Sequence, residues 1–300
     1  HKVMKRMKEE SFDVLIVYGD LEHGSNFEYL TGFLPRFEEA LLVMHKDGSN
    51  YMIMGNENLN KVSSSRIKAT PLHAPHFSLP NQPMEGGKDI VSILSEAKIC
   101  KGMHIGVVGW KQFDSLSINH SLFDVPYYLI DAIKHLAGPD GCIENAVSLF
   151  IGENGARRTN NVNELEHYEF GASLAGDCIL AAMNQLSEGI KETELGNTLN
   201  ALGQKNSVVT IAAAGKRFVK ANLYPTDNTV KTGDTLSLTV GYKGGLSSRC
   251  GYAVKNSSQL HESVRDYVDV VVKPYFRAYA LWLEQIHCGM TGGELYNLIE

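Results

Sequence analysis

Blocks of apolar, β-branched residues separated by polar turns run through the chain as far as Asp131, and longer three-and-four spacings follow residue 161. The blocks predict strands at Val14–Tyr18, Ala40–His45, Tyr51–Gly55, His104–Trp110 and Tyr127–Asp131, with Lys46-Asp-Gly-Ser49 turning the second into the third. Helical spacing fits Lys2–Glu10 and Lys88–Ala97. Strands mixed with helices imply an α/β sheet layered by helices. Residues 137–161 are richer in Gly, Pro and Asn, and read as a linker.

After the linker, Asn161 with Glu164 three residues on forms a capping-box signal. Leu165, Tyr168, Ala172, Ala175, Ile179, Ala182 and Leu186 then make one apolar stripe. A second helix is expected over Thr193–Leu202, and Ser207–Ala214 reads as a strand. Gly233–Val254 alternates through Leu236, Leu238 and Val240, turns at Gly244-Gly245 and returns, which is a hairpin with one buried face. A long helix is expected from Leu260 to His287, kinked or broken at Pro274.

The order of helix pair, strand, polar loop and hairpin resembles the catalytic half of the creatinase, aminopeptidase P and prolidase superfamily, the pita-bread fold. Asn26-Phe-Glu-Tyr-Leu-Thr-Gly-Phe33 is similar to the Asn-x-x-Tyr-Leu-Thr-Gly-Phe signature of that superfamily's N-terminal domain. Physically, Tyr29, Leu30 and Phe33 are apolar anchors and Gly32 suits a helix C-cap, so the signature marks a fold rather than an active site. The resemblance implies an α/β (α+β) chain with a creatinase-like N-terminal domain at residues 1–145 and a pita-bread domain at 146–300, incomplete at its C-terminal end. Leu295, Leu298 and Ile299 have helical spacing with no stop signal before Glu300, so the family's remaining His and two Glu ligands are expected further on.

The resemblance also places the family's metal positions. Pro225-Thr226-Asp227 sets the family His at Asn222; Gly233-Asp234 and Gly241 set the first Asp at Thr239; the second Asp falls on Cys250. Relatives hold two divalent ions (manganese, cobalt or zinc), whose mutual repulsion bridging carboxylates offset. No Asp or Glu lies between Thr235 and Gln259. A neutral amide, a hydroxyl and a soft sulfur do not replace hard oxygen ligands, so no metal cofactor is expected and no residue is assigned a catalytic role. Asn222, Thr239, Tyr242 and Cys250 are instead expected to line a remnant cleft that binds a peptide or small amide. Two alternatives stay open. One is a metal-free, creatinase-like C–N hydrolase, which needs a His that Asn222 does not supply. The other is a dinuclear Xaa-Pro peptidase drawing on Asp227, Asp234 and residues further on.

Composition narrows the classes. The 300 residues are 43% hydrophobic and 21% charged with a net charge of -6, which suits two soluble domains and disfavours nucleic-acid binding. The N-terminal segment lacks a signal peptide's apolar stretch, and no apolar run reaches membrane length, so a cytoplasmic protein without a membrane span is expected. Cys100, Cys142, Cys178, Cys250 and Cys288 are scattered and odd in number, as reduced thiols would be. His261-Glu262 lacks a second His and reads as capping groups. Gly171 to Gly176 lies within a helix and is no dinucleotide loop. The superfamily resemblance makes a homodimer the default assembly.

Overall fold

The computed structural model describes residues 1–82, 84, 86–113 and 120–300. The chain divides into two compact units, His1–Asn160 and Asn161–Glu300.

The first unit is built on β1 (Val14–Gly19), β2 (Ala40–His45), β3 (Asn50–Met54), β4 (Thr70–His73), β5 (His104–Val108) and β6 (Cys142–Asn145). They form one mixed sheet in the order β4-β3-β2-β1-β5-β6. β1 pairs antiparallel with β2 and parallel with β5, and β5 pairs parallel with β6. Both faces are covered, which is why the central strands read as continuous apolar runs. Val14, Ile16, Leu41 and Val43 face a core shared with α3 (Ile90–Glu96) and α4 (Tyr127–Ala137). Leu15, Val17, Leu42 and Met52 face the opposite core with α1 (Lys2–Glu9), α2 (Ser25–Thr31) and α5 (Ser148–Ile151).

Two sequence expectations are corrected here. Tyr127–Asp131 is no strand but the start of α4, because Leu129, Ile130, Ile133 and Ala137 continue at helical spacing beyond the β-prone Tyr-Tyr-Leu-Ile run. Residues 137–161 are no bare linker: they contribute β6, α5 and a 3-10 turn at Ala156–Arg158 to the first unit. Parallel pairing with β5 recruits β6, an interaction that local composition does not signal. The Asn26–Phe33 signature is structural. Asn26 is buried, donates from Nδ2 to the Gly109 carbonyl (2.8 Å) and accepts from Arg157 Nη1 (2.8 Å), tying α2 to the end of β5. Gly32 closes α2 in the left-handed conformation.

The second unit opens with α6 (Val162–Gln185), held by the capping box: the Glu164 N–H donates to Asn161 Oδ1 (3.0 Å) and the Asn161 N–H to Glu164 Oε2 (2.7 Å). Then come α7 (Glu192–Thr198), β7 (Ile211–Ala214), α8 (Gly215–Val219), β8 (Thr235–Tyr242) and β9 (Gly245–Tyr252). β7, β8 and β9 form an antiparallel sheet in that order. The buried face of α6 is Gly171, Ala175, Cys178, Ile179 and Ala182, whereas Leu165 and Tyr168 of the expected stripe are exposed. Tyr168 meets the hairpin tip at Gly244, so the residues before it run past the sheet. At Gly171 a Cβ would stand 2.2 Å from the Lys243 carbonyl oxygen, and at Gly245 one would stand 2.3 Å from Ala172 Cα. The two glycines let helix and hairpin backbones touch, which gives Gly171 its reason within the helix.

Two further expectations change. α7 ends at Thr198, and Leu202 lies beyond it, exposed, with φ 51°. The expected Leu260–His287 helix is instead one 3-10 turn (Glu262–Val264), preceded by another at Ser257–Gln259, then a π-helical turn (Val268–Val272) and α9 (Lys273–Gln285). Pro274 sits in the first turn of α9, where its missing N–H costs little, and the wide turn before it takes up the ring instead of a break. α10 (Gly292–Ile299) begins with a Thr291–Glu294 capping box. His261 caps the Glu262–Val264 turn, accepting from the Ser263 N–H (3.3 Å). All five cysteines are free thiols, and no helix among the described residues is long and apolar enough to cross a membrane.

Candidate functional site

Alternation along the hairpin sorts its residues onto two faces. Leu236, Leu238, Val240 and Tyr242 point into the core of the second unit with Ala212, Ala214, Ala175 and Ile179. Ser237 and Thr239 point the other way. In the β8–β9 register Ser237 stands opposite Cys250 and Thr239 opposite Ser248. The pairs are hydrogen-bonded: Thr239 Oγ1 to Ser248 Oγ at 2.7 Å, and the Cys250 thiol to Ser237 Oγ at 3.4 Å. Thr239 and Ser237 are buried, while Ser248 and Cys250 are exposed. Thr239 and Cys250 are therefore brought together, as diagonal neighbours on one face about 7–8 Å apart or somewhat less.

The other two candidate residues do not join them. Tyr242 is 2% exposed, and its hydroxyl donates to the Leu199 carbonyl (2.9 Å), accepts from the Ala201 N–H (2.9 Å) and lies 3.6 Å from Cys178 Sγ. Burial, aided by the Cys178 contact, pushes this phenol up to about 12. Tyr242 pins the chain after α7 to the core, because an even-numbered position on β8 faces inward. Asn222 is exposed just after α8, with its N–H bonded to the Arg217 carbonyl (2.9 Å). The adjacent Leu223 carbonyl accepts from Ala212 of β7 (3.3 Å), on the side away from β8. That places the segment two strand spacings from β8, roughly 10 Å.

The two carboxylates nearest in sequence are occupied elsewhere. Asp227 is exposed and pairs with Lys191 Nζ at 3.6 Å. Asp234 accepts from the Lys231 N–H (2.9 Å) at the far end of β8, five residues and about 16 Å from Thr239.

Sequence reading missed Glu192. Its side chain is fully buried at the start of α7. Oε1 accepts from the Ala214 N–H (2.9 Å) and Asn228 Nδ2 (2.8 Å); Oε2 accepts from Arg217 Nε (3.0 Å), the Thr226 N–H (3.1 Å) and the Thr226 hydroxyl (2.9 Å). Burial pushes its carboxyl up, but the bonds from Asn228, Ala214 and Thr226 outweigh this and hold it below the usual glutamate value. Glu192 thus fixes the 214–228 loop beside the hairpin. The sequence offers only two glutamates in one first turn, which ordinarily face water.

No family model matches the sequence, and no curated protein matches it. The structure does match solved structures. A prolidase from Pyrococcus furiosus superposes with a TM-score of 0.67 at 16% identity over 99% of this chain and 76% of its own. A dipeptidase from Pyrococcus horikoshii gives 0.68 at 17% identity, over 99% and 75%. A variant of Escherichia coli aminopeptidase P, solved with substrate, gives 0.59 at 14%, over 99% and 71%. The mixed sheet of the first unit and the helix-and-hairpin second unit are thus the pita-bread prolidase fold, spanning about three quarters of the neighbours' length.

Proposed function

We propose that this chain is a catalytically deficient relative of the Xaa-Pro peptidases, a pseudoenzyme that binds a peptide or small amide beside the β8–β9 hairpin. One observation carries the reading: the outward face of the hairpin is neutral, and its donors already bond one another as Thr239–Ser248 and Cys250–Ser237. Two divalent ions ~3.5–4 Å apart need bridging negative oxygen. A buried hydroxyl and an exposed thiol supply none, and Asp227 and Asp234 are engaged away from this face. The residues present do not fit a dinuclear centre, and no hydrolytic step is derived through one.

What the face does offer suits an amide. Ser248 and Cys250 are exposed and can exchange their mutual bonds for those of a peptide group, which carries one donor and one acceptor. Glu192 fixes the loop that carries Asn222 and Thr226 on the far side of β7, apart from this face. The ligand would be neutral where it meets the hairpin. The reading includes a homodimer, the assembly that the superfamily resemblance implies.

The second reading, an active hydrolase of the neighbours' kind, is favoured by the fold itself, since the solved structures it matches are named as prolidases and aminopeptidases. Calorimetric titration with Xaa-Pro dipeptides, with product analysis of the same samples, separates the two. The proposed function predicts saturable binding and intact peptide with manganese, cobalt or zinc present. Turnover supports the hydrolase, and neither binding nor turnover overturns the binding role.

A further inference from the structure

The first unit carries a donor cluster independent of the hairpin. His104 opens β5 and stands opposite Cys142, the first residue of the edge strand β6; Glu144 follows two residues later on the same face. One imidazole nitrogen, the thiol sulfur and one carboxylate oxygen all lie within 4.8 Å of one another. His104 Nε2 is 3.5 Å from Glu144 Oε2, and Cys142 Sγ is 3.5 Å from Glu144 Oε1.

The histidine is held as a ligand would be. Its Nδ1 lies 3.1 Å from the Ser11 carbonyl oxygen, which can only accept, so Nδ1 carries the proton and neutral imidazole leaves a lone pair on Nε2. Its backbone N–H donates to Asp13 Oδ2 (2.8 Å), and its ring packs on Phe12 with centroids 4.4 Å apart. Nε2 is closed off from solvent yet has no hydrogen-bond partner, an arrangement that costs free energy unless something accepts the lone pair. A backbone carbonyl on the far nitrogen is the usual support of a metal-bound imidazole. At 3.5 Å the gap to Glu144 exceeds an ordinary hydrogen bond. It is close to the ligand-to-ligand edge of ~3.3–3.7 Å that a tetrahedron with zinc bond lengths of ~2.0–2.3 Å would show.

We propose that His104, Cys142 and Glu144 form a three-ligand site for a zinc-class divalent ion, with a fourth position left for water or an external ligand. A nitrogen, a sulfur and an oxygen donor select the borderline-soft zinc over magnesium or calcium, which take oxygen alone. Thiolate and carboxylate together cancel the ion's two positive charges. On binding, the Cys142 thiol gives its proton to solvent and the sulfur keeps the electron pair that forms the metal bond. The ion would tie the edge strand β6 more firmly to β5.

The test uses the whole chain titrated with cobalt(II), read by absorbance and confirmed by displacement with zinc. One equivalent is expected, with a thiolate-to-cobalt charge-transfer band that disappears in Cys142→Ser. In Glu144→Gln the affinity should fall about tenfold or more. Circular dichroism of both variants establishes that they fold, since both side chains sit at a partly open edge. A wild-type protein giving no such band at millimolar cobalt overturns the site. A band retained in folded Cys142→Ser overturns it as well, because Cys100, Cys250 or Cys288 would then be the ligand.

Discussion

Thr226 donates both its backbone N–H (3.1 Å) and its hydroxyl (2.9 Å) to a single oxygen of Glu192, 34 residues earlier in the chain. With the bonds from Ala214, Asn228 and Arg217, one buried carboxylate organises the loop from Ala214 to Asn228. Glu192→Gln keeps the shape but turns an NH2 group toward donors. It should cost about 2–4 kcal/mol in urea unfolding, as breaking a buried charge-assisted network does. A change within 0.5 kcal/mol would mean the network does not hold the loop.

The same carboxylate sets an acid limit. Its value in the folded protein lies below its ordinary value of 4.5. The stability it contributes is therefore fully present above about pH 4.5 and is lost as pH falls through the lower folded value. Unfolding free energy measured from pH 6 downward should decline in that window for the wild type and more shallowly for Glu192→Gln.

Tyr242 was expected in the cleft and lies in the core. Tyr242→Phe should cost about 1–3 kcal/mol of stability, since the Leu199 carbonyl and Ala201 N–H lose their partner. Peptide affinity measured by calorimetry should stay unchanged, because the phenol is on the opposite face from Thr239 and Cys250. A selective loss of affinity with unchanged stability would return Tyr242 to the site.

Gly171 and the hairpin tip should be equally sensitive. In Gly171→Ala the new methyl meets the Lys243 carbonyl oxygen, so α6 or the tip must shift, costing about 1–3 kcal/mol by thermal or urea unfolding. Gly176→Ala on the same helix is the control. Nothing lies within 4 Å of a Cβ there, and the change should be neutral or stabilising.

Strong local patterns were legible in the sequence. The Ala40–His45 strand, the Asn161–Glu164 cap, the hairpin through Leu236, Leu238 and Val240, and the Asn26–Phe33 signature all follow from periodicity, capping chemistry or motif. Elements defined by distant partners were not. β6 exists because β5 accepts it, and α4 hides behind a β-prone opening. Of the four expected site residues, Thr239 and Cys250 share a face because their strands keep one register. Tyr242 is separated from them by strand parity, and Asn222 by the intervening β7. Glu192 was invisible because only tertiary structure shows that a first-turn glutamate points inward.

The most direct test of the neutral hairpin is a metal count on the full chain carrying Cys142→Ser, which removes the proposed site in the first unit. Dialysis against manganese, cobalt or zinc, followed by elemental mass spectrometry, should find no stoichiometric ion. About two ions per chain would contradict the account and restore a dinuclear hydrolase at the hairpin.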